Sequence, residues 1–316
     1  MKIKKYIFSI ILILFFSKIT NANPLKTIQN CADQKGTDEQ LIYLSNWQSL
    51  NSYHSLLKKH STNWHRHREI VEIIEEELKY LSEINFTELQ NKYLRYSSNL
   101  PYMRTLWWTY YDAVKWAKEK TEIDTSRIYL AGASGGGHMA LQMAGRAPHI
   151  WAGVSSWVPI TDCFAWHAEC KRSGRRYYKD LEISCKGRPG DSTEVDLEYR
   201  KRSPLTWLSK ASNVPLDINA GIRDGHEGSV PISHSLKAFN LLAESSLKLT
   251  QEQIDYFTKE SKVPESLKRA GPDPSYGKDR QPLWRGQSKA TRVTIFNGGH
   301  EMIPSAIFDW LARLKK

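Results

Sequence analysis

The chain has 316 residues, 45 Lys and Arg against 34 Asp and Glu, 40% hydrophobic residues and 25% charged ones. This balance belongs to an ordinary globular protein and excludes collagen-like, coiled-coil and wholly disordered classes. The net charge of +11 comes from scattered cations, and the one cluster, Lys171-Arg172-Ser173-Gly174-Arg175-Arg176, reads as a solvated surface loop and not as a nucleic-acid-binding stripe.

At the N-terminus Lys2, Lys4 and Lys5 precede an apolar stretch, Tyr6 to Phe16, and small residues suited to signal-peptidase cleavage follow up to Ala22. An apolar run of this length is too short to span a bilayer, so the pattern predicts an export signal over 1–22, with an uncleaved anchor as the alternative. The expected product is a soluble periplasmic or secreted protein with no stable membrane insertion, and its net charge falls to +7 because four lysines and no acids are lost. Export permits disulfides among Cys31, Cys163, Cys170 and Cys185, of which Cys170–Cys185 would close the basic loop. No C-x-x-C spacing suggests a metal, and His60, His65 and His67 lack a carboxylate or cysteine to complete a site.

Next, Leu41 to Leu44 is the one plausible early strand, leading into the loop Ser45 to Asn51. Ile70, Ile73, Ile74, Leu78, Leu81 and Ile84 recur at helical spacing, which predicts a long surface helix over Arg66 to Tyr96. From there the pattern predicts a helix at Tyr111 to Lys120, a strand at Arg127 to Ala131, a helix through His138 to Arg146 and a strand at Ala152 to Pro159. A charged, Gly-containing loop from Cys170 to Asp191 follows, then a strand at Leu216 to Gly221 and helices at Ile232 to Glu244 and Gln251 to Lys259. A strand at Arg292 to Phe296 and a helix at Ser305 to Leu314 finish the chain. Strands alternating with helices predict an α/β fold, a mostly parallel sheet with helices on both faces, and no linker or repeat divides it.

Gly132-Ala133-Ser134-Gly135-Gly136 matches G-x-S-x-G between a strand and a helix, the placement that lifts a nucleophilic serine above the sheet edge. The helix N-terminus brings a positive dipole and free N–H groups, so the N–H of Gly135 is a candidate oxyanion donor. A serine nucleophile needs a base and an orienting acid, which follow it in the order acid then histidine. Asp224 lies just past one strand and His300 just past another, both where ligands bind at strand ends. Asp162, past the strand after Ser134, is a rival acid, while His138, four residues beyond Ser134, is expected to pack or cap. His226 and Trp157 are candidate substrate contacts, and Trp107, Trp108, Trp166 and Trp207 join Trp157 as residues able to line an aromatic cleft.

From about Trp108 onward the sequence resembles the prolyl oligopeptidase-like catalytic domain of the α/β-hydrolase superfamily, through Ile123 to Gly137, Val158-Pro159-Ile160-Thr161-Asp162, Gly221-Ile222-Arg223-Asp224 and Gly299-His300. The resemblance implies an α/β-hydrolase fold, a peptidase or esterase activity, and Ser134, Asp224 and His300 as nucleophile, acid and base. Residues 23–107 depart from the family, whose second oxyanion donor comes from an early loop; here the candidates are Asn46 and Trp47. No segment before Asp124 offers the family's β-propeller gate, so an open cleft is expected.

The expectation is therefore a single domain over 23–316, an exported serine hydrolase that cleaves peptide or ester bonds through an acyl-enzyme, with neither metal nor cofactor. Its partners would be small-molecule, peptide or glycan-ester substrates, and not nucleic acid. A carbohydrate or aryl esterase is the alternative within enzymes, and a catalytically silent α/β-hydrolase-like binding protein the alternative of another class.

Overall fold

A computed structural model describes residues 8–16, 41–43, 114, 118 and 123–316. Its strands are β1 (Phe8–Phe16), β2 (Leu41–Tyr43), β3 (Ile123–Ser134), β4 (Gly153–Trp157), β5 (Leu216–Gly221), β6 (Pro282–Ser288) and β7 (Thr291–Phe296). They form one sheet in the order β2-β1-β3-β4-β5-β7-β6. All neighbours run parallel except β6, which pairs antiparallel with β7.

The helices are α1 (Gly135–Arg146), α2 (Cys163–Arg172), α3 (Tyr177–Cys185), α4 (Thr193–Arg202), α5 (Ser233–Leu242), α6 (Gln251–Glu260) and α7 (Pro304–Leu311). Alternate residues of each strand serve opposite faces, as the pleat requires. Ile128 and Leu130 of β3 join Leu141 of α1, Phe239 of α5 and Phe257 of α6 in one core. Tyr129 and Ala131 join Ile307 and Leu311 of α7 in the other. Both faces are thus covered, as the alternation of elements predicted, and this mostly parallel sheet is consistent with the α/β-hydrolase fold that the sequence resemblance implies.

The second face also contains a satisfied polar network. Asp217 accepts from Ser155 Oγ at 2.9 Å, Asn219 Nδ2 at 2.8 Å and Arg292 Nε at 2.8 Å, and Trp157 Nε1 donates to Ser155 Oγ at 2.8 Å. Buried polar groups are tolerated when paired in this way.

Three sequence expectations are corrected. The stretch Cys170 to Asp191, expected as a loop, is largely helical: α2, α3 and α4 make a helical excursion between β4 and β5, started by an Asp162 cap on α2 and a Ser192 cap on α4. Cys163 and Cys185 lie in the small core of this excursion with Tyr199. The Cys170–Cys185 disulfide is absent; Cys163, Cys170 and Cys185 are buried free thiols. Burial pushes Cys163 and Cys185 up to about 12 and Cys170 up to about 11, so each stays a neutral thiol. Finally, β6 was not foreseen, because Pro282, Arg285 and Gly286 interrupt the strand pattern.

The apolar stretch read as an export signal contains β1, which lies between β2 and β3 and pairs with β3 from Phe8 to Phe16. Cleavage after Ala22 would remove β1 and bare the adjacent edge of β3. The expected helix over 66–96, the loop with Asn46 and Trp47, Trp107, Trp108, Cys31 and the histidines at 60, 65 and 67 lie outside the described residues. Of the expected helix at 111–120, Val114 and Lys118 are described and helical, with Val114 buried. Among the described residues no helix is long and apolar enough to cross a membrane, and no group of His, Cys, Asp or Glu is arranged to hold a metal.

His138 on α1 is buried, as expected of a packing residue. Its Nδ1 is 2.9 Å from the Ile160 carbonyl, its Nε2 has no partner among the described residues, and burial lowers its pKa from 6.5 to about 4. The folded protein therefore holds this ring neutral while the unfolded chain protonates it, so stability present at pH 7 is lost as pH falls through 6.5 towards 4. Thermal melts across that range are expected to drop, and a His138→Met variant to lose less over the same interval.

Candidate active site

β3 ends in Ser134, which opens α1. Its backbone has φ 56° and ψ −119°, a left-handed conformation that a serine adopts only when its surroundings force it. Those surroundings are backbone atoms. A Cβ on Gly132 would lie 2.4 Å from the Gly136 carbonyl oxygen, and one on Gly137 would lie 2.5 Å from that of Trp157. The two glycines let strand, turn and helix approach this closely, and the approach fixes the bend at Ser134. The Ser134 side chain makes no cap bond to α1, so its hydroxyl is not spent on the helix it begins. Val158, just past β4 and thus at the same sheet edge, also has positive φ, 45°.

β5 and β7 are neighbours, and their ladder runs on into the loops beyond them: Ile222 N–H donates to Phe296 at 2.9 Å and Arg223 N–H to Gly298 at 3.0 Å. These loops carry Asp224 and His300. His300 Nδ1 lies 2.9 Å and 3.0 Å from the two carboxylate oxygens of Asp224. Asp224 is buried, whereas His300 is partly exposed. Oδ1 of Asp224 also accepts from the N–H of Gly225 at 2.9 Å and of Val230 at 3.4 Å. A carboxylate held this way keeps Nδ1 protonated, which leaves Nε2 as the basic atom.

Ser134, Asp224 and His300 all stand at the carboxyl ends of parallel strands, β3, β5 and β7, the edge where sheets of this kind bind ligands. The rival acid, Asp162, is spent as the cap of α2, accepting from the N–H of Phe164 and Ala165 at 2.9 and 3.2 Å. Gly135 is the first residue of α1, where its N–H is free of intrahelical partners.

The two expected substrate contacts stand differently. Trp157 is fully buried between Tyr276 and Phe296, with ring centroids 5.9 and 5.6 Å away. Its indole belongs to the core network, which corrects the expectation of a cleft residue. His226 is exposed and its Nε2 lies 2.7 Å from the Thr258 carbonyl of α6, a bond that fastens the acid loop to that helix. Trp166 is instead the aromatic at the acid loop: Nε1 donates to the Ser229 carbonyl at 3.2 Å, and the ring stacks on Tyr177 at 5.2 Å.

Sequence reading missed two supports of the pair. Gly228 sits so close that a Cβ there would meet Asp224 Oδ1 at 2.1 Å and His300 Cβ at 2.4 Å. Arg223 donates from Nε to Glu227 at 2.8 Å and from Nη1 to Asn297 at 2.9 Å, tying the acid loop to the base loop. Its neighbour relation to Asp224 was visible; its partner 74 residues later was not.

Residues 109–261 match the prolyl oligopeptidase family. The match begins where the sequence resemblance begins and takes in Ser134 and Asp224; His300 lies beyond it, and its place rests on the bond to Asp224. No curated protein matches the chain.

Among solved structures it is similar to an acylaminoacyl peptidase of Pyrococcus horikoshii, at 22% identity over 40% of this chain and 19% of that one, TM-score 0.33. It is similar to a puromycin hydrolase at 24% identity over 42% and 18%, TM-score 0.32. An acetyl xylan esterase from Paenibacillus sp. R4 aligns at 16% identity over 64% and 50%, TM-score 0.40. The chain spans about a fifth of the length of the first two of these structures.

Proposed function

We propose that the protein hydrolyses peptide or ester bonds by acyl transfer on Ser134. His300 Nε2 takes the Ser134 proton as Oγ attacks the carbonyl and returns it to the leaving group. Asp224 holds the imidazole in the required tautomer and stabilises the imidazolium. Water, deprotonated by the same histidine, then releases the acyl group. The N–H of Gly135 faces the developing oxyanion, and an N–H of Asn46 or Trp47 is the second donor in this reading. The single observation that carries the proposal is the buried Asp224 carboxylate on His300 Nδ1, at the same sheet edge as a serine forced into a left-handed turn.

Trp166 and Tyr177, beside the acid loop, are where a ring or prolyl group of a substrate would rest. The test is turnover of a panel of aryl esters and peptide arylamides by wild type and Ser134→Ala. Wild type is expected to cleave at least the activated esters, and the variant to lose roughly 10⁴-fold or more in kcat. Equal rates for the two proteins reject the assignment.

Export is part of the proposal, supported by the lysines before the apolar stretch and the small residues up to Ala22. N-terminal sequencing of the protein purified from its native host decides between the two uses of that stretch. A start at Asn23 supports export; a start at Met1 with β1 retained rejects cleavage.

A further inference from the structure

Lys171, Arg172, Arg175, Arg176 and Lys179 lie within nine residues, on the end of α2, the turn after it and the start of α3. Four are exposed and Arg175 is partly so. Among the described residues none of the five is ion-paired, in contrast to Arg223, Arg285 and Arg292, which hold Glu227, Asp273 and Asp217 at 2.8–2.9 Å. The nearby acids are turned inward. Glu169 bonds the buried His234 at 2.9 Å, and Glu182 bonds the buried His167 at 2.9 Å. Asp180 is the one exposed acid beside these five cations.

Local helix physics accounts for Lys171 and Arg172, which sit in the last turn of α2. It does not account for Arg175, Arg176 and Lys179. Arg176 is the N-cap residue of α3 and makes no cap bond, at a place where Ser, Thr, Asp or Asn is favoured and a cation is not. Residues that break a local rule without a local gain point to a use elsewhere.

The cluster is joined to the site already described. Tyr177, next to Arg176 and 46% exposed, stacks on Trp166, and Trp166 holds the Ser229 carbonyl. Ser229 lies between Gly228, which abuts Asp224 and His300, and Val230, whose N–H binds Asp224. One ring pair therefore separates the cations from the acid loop.

We propose that this cationic turn is a substrate-docking rim that selects acidic peptides, binding carboxylates a few residues from the bond to be cleaved. The proposal rests on the acyl-transfer reading and names its substrate class. Several solvated charges acting together draw an anionic substrate in and hold it weakly, and salt screens the effect.

The test uses two p-nitrophenyl esters of the same short peptide, one with two glutamates and one with two glutamines before the acylating residue, at low and high ionic strength. Wild type is expected to prefer the acidic ester about tenfold in kcat/KM at low salt, an advantage that shrinks as salt is added. Arg175→Glu/Arg176→Glu is expected to erase or invert the preference while kcat/KM for the neutral ester and the melting temperature stay at wild-type values. Equal kcat/KM for the two esters in wild type, or a preference that survives the double substitution, overturns the rim. Ser134-dependent turnover of the neutral ester alongside either result leaves the hydrolase reading standing, whereas no turnover of either ester overturns both.

Discussion

Asp224→Asn is expected to lower kcat by about four orders of magnitude while the protein keeps its fold and its cooperative melt. The cause is which hydrogen each atom carries. In the wild type Oδ1 accepts from the N–H of Gly225 and Val230, and both carboxylate oxygens face His300 Nδ1. An asparagine keeps one oxygen, which the two backbone donors claim, and turns its NH₂ towards the ring. Nδ1 must then accept, the proton moves to Nε2, and the atom that has to take the serine proton already carries one. Substrate binding does not depend on the carboxylate, so KM is expected to change little. Steady-state kinetics on an activated ester, with circular dichroism to confirm the fold, checks both parts. A drop of less than tenfold would remove Asp224 from the role of orienting acid.

Gly228→Ala is expected to be nearly as damaging, and by geometry alone. Its methyl would stand 2.1 Å from Asp224 Oδ1 and 2.4 Å from His300 Cβ, inside contact distance of both members of the pair. The loop must move to admit it, and the two groups move apart with it. Overpacking of this kind costs roughly 1–3 kcal/mol in stability. The catalytic loss is expected to be larger in relative terms, about 10²-fold in kcat, because displacements of about 1 Å at reacting groups have that effect. A thermal melt and kcat measured on the same preparation separate the two. A variant with wild-type kcat would mean that the acid loop is free to shift without consequence.

The parts of this account that were legible in the sequence are those governed by local pattern. Ile128-Tyr129-Leu130 is a short apolar run that leads straight into Gly132-Ala133-Ser134-Gly135-Gly136, so strand, turn and helix could be placed together. Asp224 and His300 were found because each follows a readable strand, and the order of serine, acid and base limits the choices. The supports were not legible. Gly228 looks like any loop glycine until the approach of His300 is known, and Arg223 meets Asn297 only because β5 and β7 are neighbours in the sheet.

Composition misled at the excursion. Charged residues and glycines from Cys170 to Asp191 signalled a loop, yet Cys163, Cys185, Val195 and Tyr199 give α2, α3 and α4 a small core of their own. Trp157 misled in the same way: it was grouped with other tryptophans as able to line a cleft, while its neighbours Tyr276 and Phe296 bury it completely. Residue type alone does not reveal which face of a strand points to substrate, since a tryptophan serves core and cleft equally well.

The central claim is that Ser134 is a working nucleophile activated by His300. Its most direct test is labelling of the purified protein by a fluorophosphonate probe, with wild type beside Ser134→Ala and His300→Ala and the adduct located by peptide mass mapping. An adduct on Ser134 in the wild type, absent from Ser134→Ala and greatly slowed in His300→Ala, is the predicted result. A folded wild type that takes no label would contradict the claim and leave an α/β-hydrolase fold that binds without acylating.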